Sequence, residues 1–444
     1  VVLNELFING AIIDGAHDMT VTTQLAVTGN ESAILRGSGT LTTQGFTILD
    51  VSSVSGSINV GGSRSWVNDG TVNVLGDDAI NLGVGAGSNT VLTNTASGVI
   101  NLSSSFATPI LLAGGTATIN NAGTIGQTAP GTHEIQSSVL NNTGTVNVNA
   151  GTLLLRSDGT DTGRYDLGTG AVVEFGGGTR LLGASSFPSG VGSTVISGGN
   201  LSYDGGATVT LPPTTQTGGS FTVNSSGTLD VPALGNFLGG TLTLNGPAGI
   251  TLPATLALGG VTLNLNSAAP VSLANLGLDG TTIGGTHDLT VTTALTLTGA
   301  QSGTVRGSGT LTTAGTTTIA VTPGTGSLAL ADTRNWVNSG TVDVGAGDAI
   351  GLGAVAGSNN TLSNTATGVI NFNSDFANPV ITSAGTTALV NAGTINQNDA
   401  GAHTFTLGSL NNTGTFNANA GSTDIGGTVT QSGTVRVAAG AVFG

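Results

Sequence analysis

The sequence predicts an all-β chain wound as a parallel β-helix, or β-solenoid, with coils of about 20–28 residues. Three observations carry that prediction. Short segments alternate apolar with polar residues, glycines precede those segments at coil-sized intervals, and a block of 270 residues is repeated along the chain. Each is a signature of stacked repeats.

The strand signals come first. Thr71-Val72-Asn73-Val74, Val99-Ile100-Asn101-Leu102, Thr145-Val146-Asn147-Val148, Thr228-Leu229-Asp230-Val231 and Thr241-Leu242-Thr243-Leu244 each carry apolar residues at the second and fourth positions, which share one face. Helical spacing is missing, and glycine, with 75 copies in 444 residues, interrupts almost every short stretch. Gly70, Gly98, Gly123 and Gly144 precede equivalent strands at steps of 28, 25 and 21 residues, and Gly340, Gly368, Gly393 and Gly414 repeat the same steps. The recurring Asn-x-Gly-Thr predicts a turn in which glycine supplies a positive φ and asparagine tolerates the left-handed region.

A shift of 270 takes His17-Asp18 to His287-Asp288, Trp66 to Trp336, Phe106 to Phe376 and His133 to His403. Between 15–45 and 285–315, 20 of 31 positions are identical. The expected organisation is therefore a first complete unit, 1–270, and a second, partial unit, 271–444, that continues the same solenoid. Starting on Val1 at the phase of Val271, the chain reads as a slice of a longer polypeptide. The competing architecture is a tandem array of β-sandwiches, which predicts hairpins and linkers between domains. No Pro- or Ser-rich linker interrupts the sequence near 270.

Composition narrows the function. All eight basic residues are Arg, and 23 acidic groups bring the net charge to −15, so no basic patch is available for nucleic acid. The apolar runs are too short to span a bilayer, which argues against membrane insertion. With no Cys, disulfides and thiolate metal sites are ruled out.

Candidate sites are few. Adjacent residues on a strand point to opposite faces, so His17-Asp18 and His287-Asp288 do not form dyads, and these rings read as turn residues bonded to backbone, like His133 and His403. Asp77, Asp78, Asp158, Asp161 and Asp166 read as solvated turn carboxylates, because no calcium-coil motif recurs around them. Arg64 and Trp66, and their counterparts Arg334 and Trp336, share a strand face, where a guanidinium can staple an indole or the pair can plug a coil end. A sugar platform on Trp66 is the alternative there. Asn68, Asn94, Asn121 and Asn142 fall at stacking intervals and are expected to form amide ladders. No catalytic residue, cofactor or metal site is predicted, and with four Glu and no Lys a two-carboxylate glycosidase has little support.

Strings such as LNNTGTVNVNAGTLLL (140–155), GTHDLTVTTALTLTGAQSGTVRGSGTLTT (285–313) and RNWVNSGTVDV (334–344) resemble repeats of giant secreted bacterial surface proteins, the filamentous-haemagglutinin-like and autotransporter-passenger-like adhesins. The resemblance implies a right-handed parallel β-helix, export to the cell surface, and a non-enzymatic structural or adhesive role there or in extracellular matrix. Copies of itself, end to end or side by side, and surface or matrix components are then the expected partners. The alternatives are a carbohydrate-binding passenger or phage-type tail fibre and, last, a polysaccharide-degrading β-helix enzyme.

Overall fold

A computed structural model describes residues 1–52, 55–234 and 236–444. Its strands stack as a parallel β-solenoid of about 21 turns in all, and no helix occurs among the described residues. The chain divides into two compact units, residues 1–205 with 213–223 and residues 206–212 with 224–444. The boundary of the sequence repeat at 270 lies inside the second of these.

In the first unit three parallel ladders run along the coils. The first stacks Thr40–Thr43, Ser65–Asn68, Asn89–Asn94, Thr116–Asn121 and Val139–Asn142. Phe46–Val51, Thr71–Val74, Val99–Leu102, Thr124–Gln127, Thr145–Val148 and Arg164–Leu167 make the second. The third begins Ala33–Leu35, Ser57–Gly61, Ala79–Val84, Ile110–Leu112 and Thr132–Ile135. In the second unit the first ladder runs Thr310–Thr313, Asn335–Asn338, Asn359–Asn364, Thr386–Asn391 and Ser409–Asn412, each 270 residues beyond its counterpart. A sandwich needs hairpin-linked antiparallel strands, whereas the one antiparallel contact among the described residues is the isolated bridge Val84–Gly114. The tandem-sandwich alternative is thereby excluded.

The alternation read in the sequence becomes columns of inward side chains. On the first ladder Leu41, Trp66, Leu92, Ile119 and Leu140 lie one above another, all almost wholly buried. Val72, Ile100, Ile125, Val146 and Tyr165 stack on the second, and Ile58, Ile80, Ile110, Ile135, Leu155 and Phe175 on the third. Each such aliphatic residue removed from water contributes about 1.5–3 kcal/mol, so the narrow interior is a repeated version of one small core.

The reason for the Asn-x-Gly-Thr motif differs from the expectation. Gly70, Gly98, Gly123 and Gly144 are absent from the positive-φ positions. They sit at the corner between the first and second ladders, where space is the constraint. A methyl group on Gly144 would overlap the carbonyl oxygen of Gly123, and one on Gly123 that of Gly98. Only hydrogen fits between successive coils there. The asparagine, for its part, is an inward-facing residue of the strand and not a left-handed turn residue.

Gly144→Ala is accordingly expected to destabilise the chain by about 1–3 kcal/mol through overpacking. Gly126→Ala, where the nearest atom to an added methyl is Asn101 Oδ1 at 3.6 Å, should be near neutral. Urea midpoints of the two variants check this. Equal midpoints would remove the steric account of the corner.

Candidate functional site

The most elaborate polar arrangement lies inside the solenoid. Asn68, Asn94, Asn121 and Asn142 occupy the last position of successive first-ladder strands, point inward, and are 0–1% exposed. An amide buried without partners costs about 1–3 kcal/mol, so each must be satisfied by its neighbours. Thr43 donates its hydroxyl to Asn68 Oδ1 at 3.2 Å. From there each Nδ2 donates to the Oδ1 of the next coil, at 2.7 Å for Asn68 to Asn94, Asn94 to Asn121 and Asn121 to Asn142. The same nitrogens reach the carbonyls of Val99, Thr124 and Thr145 at 3.1–3.2 Å, which ties the first ladder to the start of the second across the glycine corner. In the second unit Thr313, Asn338, Asn364, Asn391 and Asn412 repeat the ladder at 2.7–3.1 Å, ending on Gln431 Oε1 at 2.9 Å.

In the first unit the last amide, Asn142 Nδ2, donates to Arg164 O at 3.2 Å, and a carboxylate follows in the next coil. Asp161 stacks on Asn142, is fully buried, and accepts the Asn142 backbone N–H at 3.0 Å. Its Oδ2 also accepts from Arg180 Nη1 at 2.7 Å and from the Tyr165 hydroxyl at 2.9 Å. Burial pushes the Tyr165 hydroxyl far above its ordinary range, so it remains a donor. Asp78 departs from expectation in the same way. It is fully buried and accepts the Val51 N–H at 2.6 Å, while its counterpart Asp348 accepts Val321 and Gly326 N–H at 2.9 and 2.8 Å. Burial raises the pKa of both carboxyls. Asp158 and Asp166 do lie at the surface, and Asp77 accepts the Ser55 N–H at 2.9 Å.

Arg64 and Trp66 both point inward and are 1% exposed, but the guanidinium does not go to the indole. Arg64 Nε and Nη2 donate to the Arg36 carbonyl at 3.1 and 2.9 Å, Nη2 to Gly15 O at 2.8 Å, and Nη1 towards His17 O at 3.4 Å. One side chain thus holds carbonyls of the two preceding coils. Arg334 repeats this on Arg306, Gly285 and His287, with Nη1 to His287 O at 2.5 Å. Among the described residues no carboxylate pairs directly with either guanidinium, and burial draws the Arg334 pKa down to about 10 against the pull of Asp288 and Asp332. Trp66 and Trp336 donate their indole N–H to Thr43 and Thr313 at 3.1 and 2.9 Å, the hydroxyls that start each amide ladder. At this depth Trp66 is out of reach of a glycan, so the sugar-platform alternative does not hold.

The histidines separate by copy. His17 is exposed, whereas His287 is fully buried, donates Nδ1–H to Leu265 O at 2.9 Å, and leaves Nε2 without a partner. His133 faces the carbonyls of Phe106 and Pro130, both at 2.9 Å, while His403 faces Phe376 O at 3.0 Å and Asp399 Oδ1 at 3.1 Å. Among the described residues no group of three or more His, Cys, Asp or Glu is placed to hold a metal ion.

Two outcomes follow from this geometry. Asn121→Ala, which removes one acceptor of Asn94 Nδ2 and the donor to Asn142 Oδ1, should lower stability by about 1–3 kcal/mol in urea unfolding. Asn121→Thr should recover part of it, since Thr43 serves in the same chain of hydrogen bonds. For His287, burial and the nearby Arg334 lower the pKa to about 4. Between pH 6.5 and 4 the unfolded chain therefore binds a proton that the folded chain refuses. Stability should fall as pH drops through that window, by up to about 3 kcal/mol. His287→Gln should flatten this acid slope in urea titrations at pH 7 and 4.5, with His17→Gln as control; an unchanged slope would refute it.

No family model, curated protein or solved structure matches this chain, and its description as a parallel β-solenoid rests on its own strand pairing.

Proposed function

We propose that the chain is a non-enzymatic structural and adhesive segment of a very large secreted bacterial surface or extracellular-matrix protein, akin to the adhesins its repeats resemble. The observation that supports this reading is what the duplicated block retains. Every residue of the ladder from Thr43 to Asn142, both Trp, and Arg64 as Arg334 recur at the same phase, all facing inward. Some outward positions change, as Phe46 to Thr316, Asn73 to Asp343, Thr93 to Ser363 and Asn120 to Val390, and others persist, as Thr71 to Thr341, Val99 to Val369 and Asn141 to Asn411. A duplication that keeps the buried hydrogen-bond network of its coils serves stacking before it serves any one reaction.

Antibodies raised against the chain test the proposal on the organism that makes it. They should label intact, unpermeabilised cells or material shed around them. Labelling that appears only after permeabilisation would overturn the extracellular reading.

A further inference from the structure

Residues 139–222 of the first unit carry an open groove of about 480 Å3 on the outer side of its strands, within the size range of small-molecule sites. Two outward columns of side chains make it. Asp158 pairs with Val139 below it, and Thr179 with Asn200 above it. In the neighbouring column Thr160 pairs with Leu181, and Leu181 with Ser202. Amides of Asn141 and Asn200 and hydroxyls of Thr160, Thr179 and Thr222 therefore line a trough that follows the solenoid axis.

Two features define what fits. The first is charge. Among the described residues of the lining the one cation, Arg180, is 3% exposed and committed to Asp161, Leu140 O and Ser157 O beneath the floor. Asp158, the one carboxylate among those described residues, already accepts the Thr179 N–H at 2.7 Å through Oδ1. Phosphate, sulfate and acidic polymers thus find no free counter-charge, in a chain whose net charge is −15. The second is Leu181, one of the few large apolar side chains left exposed, at 38%, in the middle of this polar lining. An apolar patch ringed by hydroxyls and amides matches the C–H face and hydroxyl rim of a sugar ring. Coils spaced at about 4.8 Å repeat that lining over roughly 19 Å, the span of a short oligosaccharide.

We propose that this groove binds a neutral oligosaccharide laid along the solenoid axis, stacked on Leu181 and hydrogen-bonded by Thr160, Thr179 and Asn200. The site is separate from the buried ladder, so it stands or falls independently of the structural reading above. Neutral gluco-, manno-, xylo- and galacto-oligosaccharides of about four units, with oligogalacturonate as the acidic comparison, are titrated calorimetrically into the 444-residue chain. At least one neutral series should bind, oligogalacturonate should not, and both Leu181→Asp and Thr160→Trp should weaken binding at least tenfold at unchanged melting temperature. Absence of binding by every neutral series, preference for the acidic one, or binding that survives both substitutions would overturn the assignment. Surface labelling of cells is untouched by any of these results.

Discussion

Parallel strands stacked coil on coil at about 4.8 Å put each residue directly over its equivalent in the coil below, and everything else in this protein follows from that register. A side chain in the interior meets the residue one coil away more closely than any other. Aliphatic residues therefore form columns, as Ile58, Ile80, Ile110 and Ile135 do. A buried amide is tolerable only if the next coil supplies another, which is why Asn68, Asn94, Asn121 and Asn142 come as a set. Aliphatic columns alone leave register loosely specified, since Val, Ile and Leu interchange at low cost. The amides supply the discrimination, because a slip by one residue would turn every one of them outwards.

The same constraint explains how much could be read from residues alone. Alternation and glycine spacing report directly on stacking, so the solenoid and the positions of the four asparagines were legible. The reason for the glycines was not. A strand corner and a tight turn both select glycine, one for space and the other for positive φ, and the letters do not distinguish them. Nor do acidic residues announce their depth. Asp78 and Asp161 look like turn carboxylates, yet they are drawn inside by backbone N–H groups that only the folded chain assembles. A signal did exist for Asp161: Asp161-Thr162-Gly163 follows Asn142-Thr143-Gly144 at the same phase of the coil. Arg180, its partner, carries no such mark, because it lies 19 residues farther on, in the next coil.

Depth also separates the two copies. His17 and His287 share a phase and neighbours in sequence, but the second lies under a preceding coil whose Leu265 carbonyl accepts its Nδ1–H hydrogen bond. Arg64 and Arg334 solve a related difficulty from the other side. The carbonyls around Gly15, His17 and Arg36 leave the ladders at the corners, and a planar fork of five N–H donors collects them where a strand cannot. A lysine ammonium has neither the reach nor the flat geometry to replace it.

The amide ladder has a polarity. Every Nδ2 points to the following coil and every Oδ1 to the preceding one, from Thr43 through Asn142. The amide dipoles therefore add head to tail along the axis, each hydrogen bond polarising the next. Partial positive charge accumulates at the Asn142 end, as it does at the N-terminus of a helix. The Asp161 carboxylate sits against that end. The ladder is in this sense a directional wire of aligned dipoles with an anion beside its positive end, and a solenoid carrying it has an electrical direction as well as a chemical one.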